Sequence, residues 1–133
     1  MSLQSAIVTK LKADATVNGI IAGRILPIGR PAPARPNIVI QVIGTGRFYG
    51  NQGSTGISRA TVQLSCYADD YKPAAQLASA VASVFDGFTG AVDGVKFHSV
   101  FIDDERDAPE PPAPGGTAAI AGVILVLLVA YSE

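Results

Sequence analysis

The side chains able to do chemistry are few. Cys66 and His98 are the only cysteine and histidine in 133 residues, so a nucleophile with a general base would need this one pair. Cys66 alternates with Ala60, Val62 and Leu64 on one side of an extended stretch, which assigns it to the core as a small hydrophobe. A lone histidine cannot assemble the nitrogen and sulfur ligands typical of zinc. Asp103, Asp104, Glu105 and Asp107 offer oxygens to a hard cation. They lack the calcium-loop spacing, with its central glycine and terminal glutamate, and fit a solvated strand end. Gly44-Thr45-Gly46 fails as a phosphate cradle: no Gly-Lys-Ser/Thr follows, and the next signal is a strand where that motif needs a helix. We expect no enzyme, no metal site and no cofactor site.

Contact chemistry is better represented. The stretch 44–56, GTGRFYGNQGSTG, reads as a mobile hairpin loop joining two antiparallel strands. Arg47, Phe48 and Tyr49 at its centre are residue types enriched in binding hot spots. With no structural duty evident for them, they point to a contact surface.

Composition agrees with a protein that meets partners. Hydrophobic residues make up 48% and charged residues 16% of the chain, greasy and undercharged for a monomer. The net charge of −1 argues against a coat for nucleic acid. The distribution is uneven. Residues 1–60 hold seven Lys and Arg against Asp14 alone, whereas residues 61–133 hold three against ten acids. This split fits a basic face for phosphate, two unlike faces meeting head to tail, or charges simply solvated around the fold. A single cysteine excludes an internal disulfide. The amino terminus lacks a basic start followed by an apolar core, so no secretory signal is expected.

The elements that position these residues follow from periodicity. Ser2 can cap a helix with Leu3, Ile7, Val8 and Leu11 on one face, and Asp14 a short turn through Val17, Ile20 and Ile21. Arg24 to Ile28 forms a brief strand. The segment from Pro27 to Pro36, carrying Arg30 and Arg35, cannot join a central ladder and reads as an extended arm or surface loop. Asn37 to Ile43 is a strand buried on both faces apart from Gln41. Alternation from Arg59 to Ala68 gives the next strand. Pro73 then opens a helix with Ala74, Leu77, Ala78, Val81, Val84 and Phe85 on one face, ending at Asp86-Gly87. Gly90 and Gly94 bracket a turn, and Val95 to Ile102 is a strand ending in the acidic run. A second proline-rich loop, 107–116, leads to Ala118–Tyr131, apolar throughout. That run is several residues short of the roughly 20 a membrane helix needs, and its Val and Ile content favours a strand buried on both sides. The sum is one α+β domain over residues 1–133. It is a mainly antiparallel sheet of about four strands with two main helices packed on one face.

The order of segments resembles the tail completion (tail terminator) family of long-tailed bacteriophages and related prophage elements. The resemblance runs from the Leu3–Leu11 helix through Gly23-Arg24-Ile25 and Pro36-Asn37-Ile38-Val39-Ile40. It is densest at Val62-Gln63-Leu64-Ser65-Cys66-Tyr67-Ala68, and continues through the Ala-rich helix, Phe85-Asp86-Gly87, the acidic turn at Phe101–Arg106 and a terminal strand. The final strand is more uniformly apolar, and the 107–116 loop richer in proline, than the family pattern. The resemblance implies a non-enzymatic virion tail protein, assembled in the host bacterial cytoplasm. It implies a ring, typically a hexamer, that caps the tail tube, ends polymerisation and presents the head–tail joining surface. The partners implied are its own copies, the major tail tube protein and a head-side connector or neck protein, with no sequence-specific nucleic acid and no membrane. A head-closure, neck or other minor tail protein is the alternative. In a ring, Arg30 and Arg35 are expected to meet Asp103, Asp104, Glu105 and Asp107 of the next subunit, and the Arg47-Phe48-Tyr49 loop to contact tube or connector.

Overall fold

Alternation of apolar residues at a period of two builds the sheet, and a period near 3.6 builds the layer on top of it. The computed structural model describes residues 3–21, 23–27, 36–50, 53–107 and 121–132. Its elements are α1 (Leu3–Ala13), α2 (Ala15–Ile21), β1 (Ile25–Pro27), β2 (Asn37–Gly50), β3 (Gly53–Ala68), α3 (Tyr71–Phe85), β4 (Gly90–Val92), β5 (Val95–Asp107) and β6 (Ala121–Ser132). They form one sheet in the order β1-β2-β3-β6-β5-β4. Among the described residues β1–β2 is parallel and the other neighbouring pairs are antiparallel. The four long strands are those expected, and the two three-residue strands β1 and β4 flank them. The α+β, mainly antiparallel architecture stands.

One face of the sheet is the core. Val62, Leu64 and Cys66 of β3 stand in register with Leu127, Leu125 and Val123 of β6, and all are buried. The buried side of α3, with Leu77, Val81 and Phe85, lies against these two central strands. Ile7 and Leu11 of α1 and Val17 and Ile21 of α2 complete the cluster. Burying one such aliphatic side chain stabilises the fold by about 1.5–3 kcal/mol.

Local signals place the ends. Asp14 caps α2, its Oδ1 accepting the Val17 N–H at 3.0 Å. Asp70 is the N-cap of α3 in extended backbone, without a side-chain cap bond, and Pro73 sits in the first turn, where its missing N–H costs little. Gly87, with φ 72°, follows the last turn, a conformation other residues adopt at a cost. Asp93 and Gly94 both have positive φ, the pairing of a two-residue primed turn between β4 and β5. The Asp93 carboxylate also accepts from Ser5 and Thr9 of α1, at 3.3 and 3.4 Å, tying helix to turn.

Four expectations change. First, the ladder between β2 and β3 continues through Arg47↔Ser58 and Tyr49↔Ser54 to Gly50↔Gly53. Residues 44–56 are therefore largely a paired arm, not a long loop; their glycines did not prevent cross-strand pairing. Second, β5 does not end at Ile102. It runs to Asp107, because backbone pairing with β6 carries the acids along: Asp104↔Val126, Glu105↔Leu125, Asp107↔Val123. The acidic run is a strand segment and not a turn. Third, β2 is not buried on both faces. Ile43, beside a bulge between Val42 and Gly44, is 52% exposed. Fourth, β6 is not covered on both sides, since Leu128 is 41% exposed. Among the described residues no helix is long and apolar enough to cross a membrane. Ser2, Arg30, Arg35 and most of both proline-rich segments lie outside the described residues.

Candidate functional site: an open sheet face and two stepped edges

The helices occupy one side of the sheet, so the opposite side is set by whatever alternates with the core. On β6 those residues are Ile124, Val126, Leu128 and Ala130, out of phase with the core positions Leu125, Leu127 and Val129; Leu128 is exposed, Ile124 and Ala130 are half-buried, and Val126 is buried. Leu128 stands between Thr61 of β3 and Phe101 of β5, and Phe101 is 60% exposed. Toward β2 the face falls away over Gly44 and Gly46, which lack side chains to fill it. The result is an open trough of about 560 Å³, lined by these glycines with Thr61, Phe101, Leu128 and Ala130. Arg59 stands at its side. An apolar strip framed by polar residues marks an interaction surface.

The sheet also ends in two incomplete edges. β1 covers β2 only from Ile38 to Ile40, so β2 from Gln41 to Gly50 has no outer partner strand among the described residues. At the other side β4 covers β5 only from Val95 to Phe97, and the Val100 carbonyl accepts the Gly87 N–H at 3.1 Å. From Phe101 to Asp107 the outer edge of β5 has no partner strand among the described residues. Arg106 reaches Asp104 at 3.3 Å, both well exposed. With one base against four acids the edge stays negative. Charges on a bare edge prevent indiscriminate strand pairing.

The β2–β3 arm projects further. The last pairing of β3 with β6 is Ser58↔Tyr131, whereas pairing with β2 continues to Gly53, roughly 17 Å of two-stranded ladder at the rise of a strand. Arg47, Phe48 and Tyr49 lie on this arm. Two strands alone are marginally stable in water, so a third surface suits them.

The chemical candidates are dispersed. Cys66 is fully buried, and burial, with the Glu105 carboxylate adding to it, pushes its thiol from 9.0 up to about 12. His98 instead holds Ser132 Oγ at 3.0 Å. Cys66 is in register with Val123, and Phe97 with Tyr131. The two positions are thus roughly 26 Å apart along β6 and form no dyad. Among the described residues no three His, Cys, Asp or Glu side chains gather as a metal site. The acidic quartet, expected as a subunit contact, lies along the last stretch of β5, with Asp104 on the face opposite to Glu105 and Asp107. The open face itself was signalled only by the unbroken apolar character of β6.

A family profile described as tail completion protein gp17 matches residues 5–118. The chain belongs to the tail completion protein gp17 family. It is accordingly a structural protein of phage tails. A chain in the solved virion of the native gene transfer agent (GTA) particle has the same fold, with a TM-score of 0.75 at 15% identity. The match covers 99% of this chain and 96% of that one. No curated protein sequence matches the chain.

Proposed function

We propose that this protein forms a ring, a hexamer in its family-typical form, that caps the tail tube, stops its polymerisation and presents the surface to which the head-side connector joins. The observation that carries the reading is family membership on a fold whose described residues leave part of one sheet face and part of both sheet edges without a covering element. A ring requires two different patches of one subunit to meet on its neighbours. The edges supply unlike patches, one acidic on β5 and one without acids on β2. In this reading Arg30 and Arg35 face Asp103, Asp104, Glu105 and Asp107 of the neighbouring copy. The arm bearing Arg47, Phe48 and Tyr49 contacts the tube or the connector. Assembly takes place in the host cytoplasm, and the product stays with the virion tail.

Deletion of the gene from its phage or prophage separates this role from a neck role. Loss of a terminator yields headless tubes of uncontrolled length beside filled heads. Headless tails of regular length with a ring still at the end would instead assign the protein to the neck.

A further inference from the structure

The two incomplete edges are complementary in outline, and their steps can be followed level by level through the registers. At one end of the sheet Ile25, Ile38, Cys66, Val123 and Asp107 lie in one row, and Pro27, Ile40, Leu64, Leu125 and Glu105 in another. There β1 adds a strand outside β2, and β5 has no outer strand among the described residues. Toward the other end Arg47, Ser58, Tyr131, Phe97 and Gly90 share a row. There β4 adds a strand outside β5, and β2 has no outer strand among the described residues. Each edge therefore has a notch where the opposite edge has a tooth.

We propose that neighbouring copies of this chain join edge to edge, β1 of one copy filling the notch beside Glu105–Asp107 of the next, and β4 of that next copy filling the notch beside Arg47 of the first. This rests on the reading of the protein as a ring component and specifies its interface. Copies in a closed ring are related by rotation without displacement along the axis. With the axis along the strands, β1 and β4 enter one shared column at different heights, roughly 20 Å apart at the rise of a strand, and do not collide. Strand directions follow as well. β2, β3, β6 and β5 alternate, and β1 runs with β2, so β1 meets the neighbour's β5 antiparallel, the commoner pairing, while β4, antiparallel to its own β5, lies parallel to β2 of the first copy.

Charge selects the same partner. Pairing β5 with a second β5 sets acids against acids, which is destabilising. No Asp or Glu occurs between residues 15 and 68, which includes all of β1, β2 and β3. Arg24 immediately precedes β1 and is anchored by its Nε–H donating to the Pro36 carbonyl at 2.8 Å. Pro27 offers no N–H, so the joint relies on outline and charge as much as on backbone bonds.

The test uses the whole chain with Cys66→Ala as background. Leu26→Cys and Arg106→Cys stand at one level, through Val39, Ser65 and Ile124. Mild oxidation of the double variant should give a ladder of covalent multimers on denaturing gels, while each single variant gives none beyond a trace. Independently, Glu105→Lys with Asp107→Lys, both exposed positions, should raise the concentration for half-assembly at least tenfold by light scattering. Rings that form normally without the ladder, or with unchanged charge-reversal behaviour, overturn the interlock and leave the ring reading standing. Failure of the parent chain to assemble, alone or on tail tubes, overturns both.

Discussion

At the residue scale, Cys66 decides whether any reaction chemistry belongs to this chain. It belongs to the buried core cluster, and burial raises its thiol to about 12, so the nucleophilic thiolate is scarce near neutral pH. Two outcomes follow from that position. A thiol reagent at pH 8 should label the native protein far more slowly than the protein in denaturant. Cys66→Ala should cost about 1–2 kcal/mol through lost packing and leave assembly intact. The pH dependence has a fixed sign. The proton is held more tightly in the folded state, so the contribution of the buried thiol is complete below pH 9 and declines as pH rises toward 12. Thermal melts should show the parent losing stability relative to Cys66→Ala across that window. Rapid native labelling would mean that Cys66 is accessible and the assignment to the core wrong.

At the scale of elements, the alternation of β3 and the helical spacing of α3 were legible, because each element has one buried face and one polar face. The caps at Asp14 and Asp86-Gly87 were legible for the same local reason. The ends of β2 and β5 were not. Glycines in the arm and acids on β5 are poor strand formers, and only pairing with a neighbouring strand, a non-local effect, holds them extended. For β6 the apolar run identified a strand, but its uniformity hid that Leu128 emerges on the open face while Leu127 packs inward. That difference makes a prediction. Leu128→Asp, at a position 41% exposed, should leave the melting temperature within a few degrees, a surface change being worth roughly 0.5 kcal/mol or less, and should abolish contact with tail components. Leu127→Asp, fully buried, should prevent folding. If Leu128→Asp tails carry heads as well as the parent does, the open face is not the contact surface.

At the scale of the molecule, a domain of this size normally closes its apolar surface on itself, and among the described residues helices cover one side of this sheet. Among the described residues, the exposed surface around Leu128, the projecting arm and the stepped edges each offer a contact that another chain can make. In the proposed ring, their placement at separate parts of one sheet would let a subunit meet its neighbours through the edges and keep a face and an arm for tube and connector. The charge division between the halves of the sequence becomes spatial in the same way: acids gather on β5, and β1 to β3 carry none. Salt should therefore weaken assembly, since exposed pairs contribute little individually and are screened. The most direct measurement of the central claim is tube growth in vitro. Purified major tail protein is allowed to polymerise, and this protein is added during growth while tube lengths are read from negative-stain images. Elongation should stop within the mixing time, and each arrested end should carry one ring. Tubes that continue to lengthen with bare ends, at a saturating concentration of the protein, would contradict the claim.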